Sequence, residues 1–190
     1  MSDFNENDST TNDCGSSERN SLKPNTVFID NINSTLNSLI EENKNLKNYK
    51  EKILQQKKLV FNSPYTPITL KDYLYRIKSL TEVEDNTLIQ SLIYIDKICE
   101  NASIILSEFN IHKILFSSIL IAIKFNEDLY YDNKYYAKVA GVSAKELKKM
   151  ESEFLRLIKF DLYINRKIFC KYKKYISKIN NIAEEKALIL

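Results

Sequence analysis

Apolar positions recur at spacings of three and four from about Phe28 onward, and they divide the chain into a succession of amphipathic helices. The most apolar stretch, Asn110 to Asp128, anchors the pattern. Ile111, Ile114, Leu115, Phe116, Ile119, Leu120, Ile121, Ala122, Ile123 and Phe125 leave it little polar surface. A helix apolar on nearly all sides is buried among others, so this one is expected at the centre of an all-α domain. At about 100° per residue, Asn110, Lys113, Ser117 and Lys124 fall at one azimuth, together with Leu120 and Ile121. The expectation is a mixed surface strip: two aliphatic side chains and a lysine close to the helix end.

Upstream, Ile29, Ile32, Leu36, Leu39 and Ile40 form one stripe, and Leu46, Tyr49, Ile53 and Leu54 form another beyond a polar run. These are two helices or one frayed in the middle. Asn62 to Pro67 interrupts the pattern before Thr69-Leu-Lys-Asp72, which has the form of a capping box. Leu70, Tyr73, Leu74, Ile77 and Leu80 then give a buried face, and a further helix runs from near Asp85 to Glu100. After the central helix comes a short one, Asn133 to Ala140, closed by Gly141 as its C-terminal glycine. Ser143-Ala-Lys-Glu146 caps the next, which carries Leu147, Met150, Phe154, Leu155 and Ile158 inward. Glu151 lies four residues from both Leu147 and Leu155 and so shares their side, where an unpaired carboxylate would be costly. The last helix runs from about Arg166 to Ile182, with Ile168, Tyr172, Tyr175, Ile176 and Ile179 inward and Arg166, Lys167, Lys171, Lys173, Lys174 and Lys178 on its other faces.

Composition agrees with helices. Two glycines and three prolines in 190 residues leave few positions for turns with positive φ. The net charge of +3 is small beside 28% charged residues and gives little support to nucleic-acid binding. Residues 1–26 are polar and lack an apolar period, so a disordered tail is expected there. The acidic start is unlike a signal peptide, and no apolar run reaches the ~18 residues of a membrane span. Cys14, Cys99 and Cys170 are odd in number and lack metal-ligand spacing, as suits free thiols in a reducing interior. An intracellular protein, cytoplasmic or nuclear, is expected.

Catalysis finds little to build on. No glycine-rich phosphate loop exists, and His112 is the single histidine, so neither a zinc site of several histidines nor a Ser–His relay is available. His112 reads as a helix-start residue with a local hydrogen bond. No metal, cofactor or small-molecule substrate is expected. The polar residues that stand out, Lys124 and Glu151, suit contacts to a partner.

The run Lys124-Phe-Asn-Glu-Asp128-Leu-Tyr130-Tyr131-Asp-Asn133-Lys-Tyr135-Tyr136-Ala-Lys-Val139-Ala-Gly141, continuing through Ser143, Glu146 and Glu151 to Leu155, resembles the signature of the P-type cyclins, the family of the yeast phosphate-signalling cyclin. Ile68 to Ile77, Leu92 to Asp96 and Asn110 to Leu115 resemble that family's first three cyclin-box helices in order. Met150 stands where leucine is usual, and Ala140 where glycine is common. The resemblance implies a five-helix cyclin box over residues 62–165, an added helical segment at 27–61 and a basic C-terminal helix and tail at 166–190. It implies a regulatory subunit, not itself an enzyme, that forms a heterodimer with a cyclin-dependent protein kinase and activates it. Lys124 and Glu151 match the pair that grips the kinase near its mobile helix; the plain alternative is a salt bridge between the two. Asp128 matches the acidic residue that meets kinase arginines near the activation loop, or else it is a solvated or capping carboxylate. Leu120 and Ile121 would add apolar contact. Tyr130, Tyr131, Tyr135 and Tyr136 are either core side chains or interface anchors. Two rivals stay open: a nucleic-acid-binding adaptor using the basic helix, and a helical scaffold without kinase activation.

Overall fold

The computed structural model describes residues 26–63 and 67–187, with side chains up to residue 178. The expected polar tail lies outside the described residues except for Thr26, which opens the first helix. Among the described residues there are eight helices and no strand: α1 (Thr26–Lys44), α2 (Tyr49–Gln56), α3 (Leu70–Thr81), α4 (Asp85–Ala102), α5 (Ile111–Asn126), α6 (Asn133–Ala140), α7 (Ala144–Leu157) and α8 (Arg166–Ala187). The N-terminal stripe is thus two helices, separated at Asn48, which takes a positive φ of 131°.

Local chemistry sets the remaining boundaries. Thr69 Oγ1 accepts from the Asp72 amide at 3.1 Å and donates to the Asp72 carboxylate, fixing the start of α3. Ser143 accepts from the Glu146 amide at the start of α7 in the same way, at 3.1 Å. Asp132 caps α6 by accepting from the Tyr135 amide at 2.7 Å, and Gly141 ends it at φ 73°. The last turn of α7 closes without glycine: Lys159 and Phe160 both adopt left-handed φ, at 59° and 56°. The Phe160 amide donates back to Leu155 O at 3.0 Å.

α5 is the axis, packed against α3, α4, α6 and α7. Its neighbours are completed by α1, which lies on α3 and α8, and by α8, which also lies on α4. Ile29, Ile32, Leu36 and Ile40 of α1 and Ile176 of α8 belong to the same buried cluster as the α5 side chains. Phe61, in the connector after α2, meets Phe154 edge-on in that cluster, with ring centroids 6.2 Å apart.

Several side chains lie elsewhere than periodicity implies. α2 has no buried residue, and Leu46 and Leu54 are exposed. Leu80 is exposed at the end of α3. On α8, Ile176 is buried but Ile168 and Tyr175 face solvent, because α8 rests against the domain along one narrow line and not across the whole apolar stripe. Ile179 lies outside the described side chains.

Candidate functional site

The α5 strip singled out above is not a surface. Leu120 and Ile121 are only 1% and 3% exposed. Asn110 and Ser117 are buried too: Asn110 bonds the Ser107 amide and Ile105 O at 2.9 Å each, and Ser117 Oγ donates to Lys113 O at 2.7 Å. Both lysines of the strip reach across to α7. Lys113 Nζ lies 2.8 Å from Glu146 Oε1 and Lys124 Nζ lies 2.5 Å from Glu151 Oε1. The strip is therefore where α5 meets α7, and its aliphatic members are core. The assignment of Leu120 and Ile121 as exposed contact residues is corrected on that ground. Azimuth tells which residues share a side, but not whether water or another helix lies opposite.

Lys124 and Glu151 keep a partial opening to solvent, with side-chain exposures of 25% and 17%. The second carboxylate oxygen of Glu151 accepts from Asn133 Nδ2 at 3.2 Å, so the pair is tied to the first turn of α6 as well. An ammonium has three donors and a carboxylate about four acceptor positions, so this network leaves hydrogen-bonding capacity unused on both groups.

Beyond the end of α5 the chain is exposed. Asp128 lies on the rim of an open groove of about 560 Å³ that Glu82, Glu84 and Glu127 also line. Glu127 is anchored there, accepting from the Glu84 amide at 3.1 Å, whereas Asp128 has no ion pair among the described residues. The four tyrosines separate into two kinds. Tyr136 is buried and its hydroxyl accepts from the Tyr131 amide at 3.3 Å; Tyr135 is half-buried and donates to Leu80 O at 2.6 Å. Tyr130 and Tyr131 are exposed, and Tyr131 stacks on Tyr135 with centroids 4.3 Å apart. Leu129, which lines the groove together with Tyr130 and Tyr131, is 89% exposed.

Aromatic side chains absent from the sequence-based set are exposed at the end of α5 and in the loop after α7. Phe125, expected in the core, is 57% exposed beside Lys124. Phe160 and Tyr163 are 72% and 73% exposed in the loop that follows α7. Tyr94 holds this loop next to the end of α5: its hydroxyl donates to Leu162 O at 2.9 Å and also meets the Asn126 side chain. Lys97 reinforces the loop by bonding Asp161 and the carbonyl of Tyr163, each at 2.8 Å. Two consecutive left-handed non-glycine residues at Lys159 and Phe160 cost roughly 1–2 kcal/mol each, and the result is an aromatic ring held out in water. The signal in sequence was Phe160-Asp-Leu-Tyr163, an apolar segment outside any helical period. It reads as filler until the loop's geometry is known.

His112 lies apart from this face. Its Nε2 is 3.1 Å from Ile68 O, a partner from the segment just before α3 and not a local one. Among the described residues there is no group of three or more His, Cys, Asp or Glu side chains placed to hold a metal ion. None of the described helices is long and apolar enough to cross a membrane.

A model of the cyclin family matches residues 4–162, a span that takes in α1 and α2 as well as α3–α7. Cyclin-U4-1 of Arabidopsis thaliana is 33% identical over 137 residues, which are 71% of this chain and 68% of that protein. Cyclin-U2-2 of the same plant is 36% identical over 126 residues, 64% of this chain and 55% of its own length. Cyclin-P4-1 of Oryza sativa subsp. japonica is 33% identical over 106 residues, 55% of this chain and 50% of its own length. The aligned part of the chain thus spans from half to about two thirds of these relatives.

Proposed function

The chain belongs to the cyclin family, with relatives of the U and P types, and from that premise we propose that it binds a cyclin-dependent serine/threonine protein kinase as a heterodimer and activates it. The observation that carries the reading is the Lys124–Glu151 pair, held by Asn133 with hydrogen-bonding capacity to spare, at the end of α5 that also carries the exposed Phe125. A preorganised polar centre with exposed apolar surface next to it suits a partner's helix end and its unpaired carbonyls. Lys124 offers its remaining donors to those carbonyls, and Glu151 offers acceptors to backbone amides. Each charge-assisted bond is worth roughly 1.5–3 kcal/mol once water is excluded.

Activation then follows as a population shift. An isolated kinase disfavours the arrangement in which its active-site lysine pairs with the glutamate of its mobile helix. A cyclin that binds the competent arrangement better draws the equilibrium toward it. Moving it from about 1:99 to 99:1 takes roughly 5.5 kcal/mol of differential binding, a quantity within reach of an interface of ordinary size. Asp128, exposed and unpaired at the groove rim, is assigned to the arginines near the kinase's activation loop, standing in for part of a phosphate's role.

The experiment is a pull-down of kinases from a eukaryotic lysate, followed by a phosphate-transfer assay with the kinase recovered. Lys124→Ala with Glu151→Ala is expected to lower recovery at least about tenfold while the far-UV circular dichroism stays helical. Wild-type recovery with the double variant would remove the pair from the interface. Asp128→Ala is expected to reduce activation most for kinase with an unphosphorylated loop. Equal activation by variant and wild type would take Asp128 out of the mechanism.

A further inference from the structure

On a different face, α1, α4 and α8 enclose an open groove with a cavity volume of about 360 Å³. Its floor is aliphatic, including Leu39, Leu92 and Ile95, and Tyr172 and Tyr175 of α8 stand along one wall. The walls are pinned. Asn31 Nδ2 donates to Ile176 O at 2.7 Å in a buried bond between α1 and α8, and the Tyr172 hydroxyl donates to Asp96 Oδ2, joining α8 to α4. A groove fixed in this way requires little ordering on binding, which favours affinity.

Asp96 is the anomaly in it. Its carboxylate is partly buried among apolar side chains, receives one hydrogen bond from Tyr172, and has Glu100 as its charged neighbour. No cation pairs with it among the described residues, although Lys171 lines the same groove. Burial and Glu100 both push its pKa up, against the Tyr172 bond. Glu42 of α1 adds a second carboxylate to the lining. An apolar trough with an unpaired carboxylate at its base is complementary to a ligand that is apolar and cationic at once. Along α1 the lining runs from Thr35 to Glu42, about 10 Å at the rise of a helix, which about three extended residues would cover. The groove is open along this length, as suits a chain passing through more than an enclosed small molecule.

We propose that this groove docks a segment of a partner polypeptide that presents bulky aliphatic side chains and, next to them, a lysine or arginine whose cation pairs with Asp96. None of the residues lining it belongs to α5, α6 or α7, so docking here leaves the Lys124–Glu151 face free. A partner held in this groove and one held on that face occupy the protein together.

The test uses the full chain, labelled with 15N, and two acetylated, amidated tripeptides, Leu-Leu-Arg and Leu-Leu-Glu, with n-hexylamine as a third probe. Leu-Leu-Arg is expected to shift the amide signals of Leu39, Asp96 and Tyr175 and to bind about tenfold more tightly than Leu-Leu-Glu. Asp96→Asn keeps an acceptor for Tyr172, so the wall stays pinned, and it is expected to abolish the preference between the two peptides. Lys124→Ala is expected to leave that preference intact. Equal binding of the two peptides by the wild type, an unchanged preference in Asp96→Asn, or shifts confined to other faces would overturn the proposal. Tighter binding of n-hexylamine than of Leu-Leu-Arg would also overturn it, by making the groove a small-amine pocket.

Discussion

His112 shows how much a single side chain's setting changes its meaning. Its Nε2 bonds Ile68 O, its ring lies 5.2 Å from that of Tyr73, and its Nδ1 is buried without a partner. Burial lowers its pKa below the usual 6.5, against the smaller opposing effect of the Ile68 bond. A histidine whose folded pKa is depressed contributes stability in full above the unfolded value and loses it as pH falls from about 6.5 through the folded pKa. The melting temperature of the wild type should therefore drop between pH 7 and pH 5 by more than that of His112→Gln, which keeps a donor for Ile68 O. Parallel pH profiles for the two proteins would assign the acid sensitivity to carboxylates instead. The cysteines separate on similar grounds. Burial, with Asp96 and Glu100 adding to it, pushes the Cys99 thiol up to about 12, while Cys170 is exposed on α8. Since the thiolate is the nucleophile, iodoacetamide at pH 8 should label Cys170 and spare Cys99 in the native protein. Peptide mapping that finds Cys99 labelled as fast as Cys170 would mean the α4 region opens readily.

At the level of elements, what sequence disclosed follows the range of the interaction concerned. The starts of α3 and α7 and the end of α6 were legible because Thr69, Ser143 and Gly141 act on backbone within four residues of themselves, as Asp132 also does at the start of α6. Gly141 gives a direct check. At φ 73° it occupies a left-handed position, and a Cβ built there meets no atom within 4 Å. Gly141→Ala should thus lose about 1 kcal/mol from backbone strain alone, visible as a lower urea midpoint with an unchanged m-value. A loss several times larger would point to a collapsed α6–α7 corner. The α5 strip was misread for the opposite reason: Lys113 and Lys124 find their partners 33 and 27 residues away, on α7, at a distance no local pattern encodes. The same limit hid Phe160 and Tyr163. Their exposure is set by left-handed residues at the end of α7 and by Tyr94 and Lys97 of α4. Lys124 and Glu151 stand out in the sequence as polar residues on apolar helix faces and match the pair of the P-type cyclins, but neither signal says whether they bond each other, and in this structure they do.

Across the whole molecule, division into a box with added helices meets a core that does not stop at residue 62. Ile29, Ile32, Leu36 and Ile40 are buried in the same cluster as α5, and Ile176 is buried on α8 with Asn31 bonded to its carbonyl. Burying each such aliphatic side chain is worth roughly 1.5–3 kcal/mol, so the four on α1 contribute about 6–12 kcal/mol. That is the size of a typical domain's entire stability of about 5–15 kcal/mol. A chain shortened to residues 62–165 should therefore retain much of its helix by far-UV circular dichroism but melt without a cooperative transition, and it should bind a hydrophobic dye. Under the proposed function, the Lys124–Glu151 pair would lose affinity for its kinase with it, although every residue of α5, α6 and α7 remains, because α5 depends on α3 and α4 for its position and these in turn pack on α1 and α8. A shortened chain that melts sharply at the full chain's temperature would make α1 and α8 appendages, and would leave the groove between α1, α4 and α8 as their main reason to dock.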